Sequence, residues 1–145
     1  MGPKNFMHMH HYCKGLELTN HALYSARTKH DRDDGLRYSI GEFDYTIQRV
    51  APDFAMLPEM LTRKGENLLR LGRAPEAVVE LNRAIGLNPA YWPPYAALSD
   101  HYKAAGDLAA ARDWLEKGLS ATPDSKALKR RLAELDKSSR KPTRK

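Results

Sequence analysis

Between residues 58 and 123, apolar and small residues recur on a 34-residue period. Gly65, Leu68, Gly72, Ala77, Leu81, Ala84 and Pro89 are each followed, 34 residues later, by Ser99, Tyr102, Gly106, Ala111, Leu115, Gly118 and Pro123. Matched character at seven positions with no insertion is a helical-repeat signal, because a short helical hairpin cannot bury its apolar face alone and does so against copies of itself. Gly72 and Gly106 mark the turns between helices. Pro58, Pro75 and Pro93-Pro94 open helices, where the missing N–H has no intrahelical partner to lose, and Asp107 caps the helix after Gly106. Upstream, Met7 to Thr28 reads as one long helix with Tyr12, Leu16, Leu23 and Ala26 apolar and Gly15, Ala22 and Ser25 small. Leu36 to Val50 reads as a second, with Ile40, Phe43, Ile47 and Val50 on one face, ended by Ala51-Pro52. Arg27 to Gly35 between them reads as a solvated connector punctuated by Gly35.

In this first hairpin Gly15 and Ile40 take the places of Gly65 and Ala77, but stand 25 residues apart rather than 12. About thirteen inserted residues therefore lengthen its helix and its connector, and an atypical terminal repeat is the usual case. After Pro123, Asp124 or Ser125 caps a final helix, Lys126 to Lys137, with Leu128, Leu132 and Leu135 on one face. The first six residues read as a loose leader, and residues 138–145, with no apolar side chain, as a disordered basic tail.

The repeat resembles the tetratricopeptide repeat, whose pattern runs large, Leu, small, Tyr on helix A, Gly at the turn, then Ala, aromatic or Leu, Ala, Pro on helix B. Tyr95, Leu98, Ser99, Tyr102, Ala111, Leu115 and Pro123 fit it closely; the preceding copy departs at Lys64, where Leu is usual. The resemblance implies an all-α stack of helical hairpins in a right-handed superhelix. It predicts one domain over residues 7–137, divided into a degenerate repeat 7–52, repeats 58–91 and 92–125, and a solvating helix 126–137. It implies a non-catalytic protein-interaction adaptor without cofactor. Positions five, nine and twelve of helix A line the concave surface in that family. Here these are Thr62, Glu66 and Leu69, with Arg70 beside them; Ala96, Asp100 and Lys103; and Arg130, Glu134 and Lys137. Capture of a C-terminal carboxylate in that family needs Lys, Asn and Arg on these stripes, so the acids at Glu66, Asp100 and Glu134 imply instead a partner segment, extended or helical, with basic side chains. The opening His-Met-His-His-Tyr-Cys before a degenerate repeat is similar to small bacterial repeat proteins with a further N-terminal segment, so a trimmed form is the expectation.

The charge changes the picture at one end only. The chain of 145 residues carries a net +6, but residues 126–145 alone hold nine of the 24 Lys and Arg against two of the 18 acids. Attraction for anions therefore belongs to Lys126, Lys129, Arg130, Arg131, Arg140 and Lys141, and the rival function is binding of nucleic acid or an anionic membrane surface through this basic helix and tail, as a weak polyanion contact. No apolar run approaches the roughly 20 residues of a membrane-spanning helix. The absence of an apolar leader predicts a cytoplasmic protein, or a periplasmic one whose signal has been removed. Cys13 is the only cysteine, which leaves no internal disulfide.

Three stretches raise other chemistry. His8 and His11 share a helical face at a spacing that suits two imidazoles on a metal ion, but two further ligands are not visible nearby, so packing and hydrogen bonding are favoured and no metal is expected. Asp31, Asp33, Asp34 and Glu42 invite comparison with a calcium loop, yet Gly35 falls where an oxygen ligand belongs and Leu36 where glycine belongs. Tyr91, Trp92 and Tyr95 could stack bases, but Tyr95 occupies a core position of the repeat. No phosphate-cradling glycine loop, nucleophile elbow or His-Glu-x-x-His pair is present, so an enzyme is not expected.

Overall fold

The two glycine turns of the 34-residue period close in the same way. Gly72 and Gly106 sit at φ 75° and 84°. The N–H of each reaches back to the third preceding carbonyl, and the next N–H to the fifth: Arg73 to Leu68 at 2.9 Å, Asp107 to Tyr102 at 2.9 Å. This is the left-handed helix stop that only glycine adopts without strain. The computed structural model describes residues 3–139 and contains eight helical segments and no strand among them: α1 (Pro3–Phe6), α2 (Met9–Tyr24), α3 (Lys29–Ile47), α4 (Leu57–Arg70), α5 (Ala74–Leu87), α6 (Pro93–Ala104), α7 (Leu108–Ala121) and α8 (Lys126–Ser139). The fold is an all-α helical repeat. Asp107 caps α7 by accepting the Ala110 N–H at 2.9 Å, and Ser125 accepts the Leu128 N–H at the start of α8.

Several sequence expectations are corrected. The leader is helical at Pro3–Phe6, and its Asn5 Oδ1 accepts the Ala51 N–H at 2.9 Å. The polar stretch after Arg27 is not a connector but the first turns of α3. Thr28, extended at φ −129° and ψ 161°, accepts the Asp31 N–H at 3.0 Å and nucleates the helix. Asp34 then pairs one turn either way with His30 at 3.2 Å and Arg37 at 2.6 Å, so the acids that suggest a calcium loop lie on a regular helix. Gly35 is no punctuation mark: a Cβ there would come within 3.0 Å of the Ala22 Cβ, so it permits α2 and α3 to touch. Finally, α8 runs on to Ser139 because Ser138 and Ser139 bond back to Glu134 and Asp136. The rest of the expected tail lies outside the described residues. Replacing Thr28 with alanine removes the cap of α3 and should cost about 1 kcal/mol in a urea unfolding experiment, with retained helicity; no measurable loss would show that side-chain pairs alone hold the first turn.

The chain divides into two compact units between Ala84 and Ile85, within α5. In the first, a Cβ on Gly15 would meet the Phe43 ring at 2.5 Å, and one on Gly65 would meet Leu81 at 2.7 Å. Phe43 is therefore the counterpart of Leu81, and Ser39, four residues earlier, that of Ala77. The expected alignment on Ile40 is one residue out of phase, and the insertion falls almost wholly within α2 and α3, with one residue in the link between them. In the second unit Gly118 of α7 admits Tyr95 of α6 and Leu128 of α8, each within 3.0 Å of an added Cβ. Tyr95 is 5% exposed, donates its hydroxyl to the Pro89 carbonyl at 3.1 Å and packs on Trp114, which makes it a core residue. Burial pushes its phenol pKa up.

Candidate partner-binding surfaces

In the first unit a cleft of about 290 Å³ separates α2 from α4. Leu16, Thr19, Asn20, Leu23 and Tyr24 line one wall; Arg63, Glu66, Asn67 and Arg70 line the other. Its floor is a chain of polar groups. Ser39 donates to the Gly15 carbonyl at 2.7 Å, so its oxygen can only accept from Thr19, 2.7 Å away, and from the Asn67 amide at 3.0 Å. The same amide reaches Thr19 at 2.7 Å, and Arg70 donates to the Asn67 carbonyl oxygen at 2.8 Å. Each hydrogen has one acceptor, so the amide orientation is fixed and Arg70 is aimed along the cleft. Asn67 and Ser39 are fully buried, which makes this floor rigid.

Of the residues expected to line a concave surface, the first unit brings Glu66 and Arg70 to the cleft. Thr62 is 1% exposed and bonds the Pro58 carbonyl, so its side chain faces the interior, and Leu69 packs beside the core of Ile40, Leu68 and Ala77. In the second unit Ala96 is buried, whereas Asp100, Lys103, Arg130 and Glu134 are exposed. None of the three acids stands alone: Glu66 has Arg63 at 3.5 Å, Asp100 has Arg131 at 3.2 Å, and Glu134 has Arg130 at 3.8 Å. Lys126 and Lys129 are both exposed on α8, and Arg140 and Lys141 lie outside the described residues.

Lys64, the departure from the repeat pattern, has its own explanation. Its ammonium lies 2.7 Å from Asp44 of α3 and 2.8 Å from Glu80 of α5, so one side chain joins three helices. Burial works against its charge, but the hydrogen bonds to Asp44 and Glu80 outweigh it and leave its pKa above the ordinary lysine value. Glu80 Oε2 has no hydrogen bond among the described residues, although Arg83 stands 3.8 Å away.

The histidines pack. His11 pairs with Glu42 and lies on Tyr45, ring centroids 3.9 Å apart; His8 meets the same ring edge-on, and Arg49 covers it at 3.7 Å. Among the described residues no three His, Cys, Asp or Glu groups converge as a metal site, and no helix is long and apolar enough to cross a membrane. Sequence reasoning misses Asn20, Asn67, Thr19 and Ser39. A fully polar amide two residues from the Gly65 contact is the available signal, since a buried asparagine needs partners.

Residues 68–135 match the tetratricopeptide repeat profile. A human protein described as protein O-mannosyl-transferase TMTC1 is 28% identical over 116 residues, covering 80% of this chain; the chain spans 12% of the length of that relative. Among solved structures, the first tetratricopeptide domain of Spaghetti (RPAP3) bound to the HSP90 peptide SRMEEVD superposes with a TM-score of 0.58 at 18% identity, covering 88% of this chain and 97% of that one. The first such domain of human RPAP3 gives 0.59 at 17%, covering 87% and 92%.

Proposed function

Since residues 68–135 make the chain a member of the tetratricopeptide repeat family, we propose that it is a non-catalytic protein-interaction module whose α2–α4 cleft seats a segment of a partner protein. The observation that carries this reading is the fixed polar floor of the cleft beneath an apolar wall. Leu16, Leu23 and Tyr24 offer contact to one apolar side chain, while Asn20 and Arg70 offer hydrogen bonds to a peptide main chain. A preformed site of this kind loses little freedom on binding, which favours affinity. That a domain of the same fold holds a peptide is consistent with such use.

The test is selection from a random twelve-residue peptide library against the intact chain and against Leu16→Arg, whose guanidinium would enter the cleft. Peptides enriched on the native chain should lose at least tenfold in affinity for the variant, with the helical circular dichroism unchanged. Enrichment of the same peptides with equal affinity on both would remove the cleft from the function.

A further inference from the structure

Within the second unit the repeat equivalent of the open cleft is bridged. Arg131 of α8 extends to α6, where its Nε lies 3.3 and 3.2 Å from the two Asp100 carboxylate oxygens, with its guanidinium 6.0 Å from the centre of the Trp92 ring. In the first unit, Leu16 stands at the repeat position of Asp100 and has no charge to offer. Arg63, at the repeat position of Arg131, turns to Glu59 and Glu66 of its own helix at 3.9 and 3.5 Å. One charged residue thus distinguishes a bridged site from an open one.

We propose that Asp100 and Trp92 form a binding site for an arginine side chain of a protein partner, and that Arg131 is its displaceable internal occupant. This rests on the reading of the chain as a segment-binding module. Arg131 fills the site imperfectly: it meets the carboxylate through Nε alone, at distances beyond the roughly 2.7–2.9 Å of a good charge-assisted bond. An incoming guanidinium can lay two parallel N–H groups on the two carboxylate oxygens and its plane on the Trp92 face. Both receiving groups are open to solvent, Asp100 with 55% of its side chain exposed and Trp92 with 37% exposed. The Arg131 side chain is 25% exposed, so the pair is partly open to water, which keeps it weak enough for the occupant to exchange. Lys103, one turn further along α6 and exposed, repels a second cation beside the first. The site therefore selects a single arginine flanked by neutral or acidic residues, not a basic run, and lysine, without the planar fork, is a poor substitute.

The experiment titrates N-acetyl-arginine amide into the native chain, Arg131→Ala and Arg131→Ala/Asp100→Asn, reading the Trp92 indole N–H resonance identified with Trp92→Phe. Arg131→Ala should bind saturably and at least fivefold more tightly than the native chain, with the lysine analogue weaker. The double variant should show no saturation. Arg131→Gln, which keeps a long polar side chain on α8, should behave as the alanine variant does. Equal binding by native and Arg131→Ala, or undiminished binding by the double variant, would overturn the proposal. Loss of library binding at Leu16→Arg is read in the other unit, so the two readings fail separately.

Discussion

Lys64→Ala should lower the unfolding free energy by about 3 kcal/mol in urea, the low end of the cost of removing one partner from a buried ion pair, because Asp44 keeps access to water. What is lost is the ammonium that neutralises Glu80 at 2.8 Å, in a site where both side chains are 15% exposed. Lys64→Met combined with Asp44→Asn and Glu80→Met should recover most of the loss, since neutral side chains of similar volume leave no stranded charge. The sign of the pH dependence follows from the raised lysine pKa. The folded state holds the proton more tightly, so the contribution is complete below about 10.4, the unfolded value. It disappears as pH rises through the folded value. The native chain should therefore lose stability above that point more steeply than Lys64→Met, whose remaining loss includes the buried Tyr95 phenol. Parallel alkaline curves would show that the ammonium gains nothing from its two carboxylates.

Phe43→Ala is expected to cost about 4 kcal/mol, the middle of the range for truncating a buried phenylalanine, because the ring fills the space against the Gly15 backbone. Its ring is completely buried, presses on the Gly15 backbone and packs on Tyr12 at 5.7 Å. Phe43→Leu should cost about 1 kcal/mol, since Leu81 and Leu115 fill the same place in the two following hairpins. A loss below about 1.5 kcal/mol for the alanine variant, under the usual range for such truncations, would mean that Gly15 relaxes toward the void and that the close approach of α2 and α3 is not set by this ring.

These residues also show how far the sequence can be read. The helices of residues 58–123 are legible because each copy checks the other, and a glycine turn, a proline start and an apolar stripe agree at every level. The first hairpin has no copy. Its apolar period alone cannot decide between Ser39 and Ile40 as the partner of Gly15, because a serine facing a backbone carbonyl looks polar and therefore exposed. The same rule hides the start of α3, where charge-rich residues read as solvated coil although Thr28 and Asp31 supply a cap. At the candidate site Glu66 is found by repeat position and Arg70 only as a neighbour of that stripe, and the pairing of each acid with a cation of this chain depends on rotamers and neighbouring helices, which no linear pattern contains.

The Asp44–Lys64–Glu80 bridge has a consequence for how near-identical hairpins are kept in their proper order. Counting 34 residues on, Leu98 stands where Lys64 stands and Trp114 where Glu80 stands. If the α6–α7 hairpin docked in place of α4–α5 during folding, Asp44 would face Leu98 rather than an ammonium, and no carboxylate would replace Glu80. An exchange that purely apolar repeats would tolerate is thus penalised by stranded charge. Tandem repeats are prone to such substitution errors within and between chains. The single lysine that breaks the repeat pattern works as an address label, making α4–α5 the only hairpin in the described residues that α3 accepts without leaving an acid unpaired.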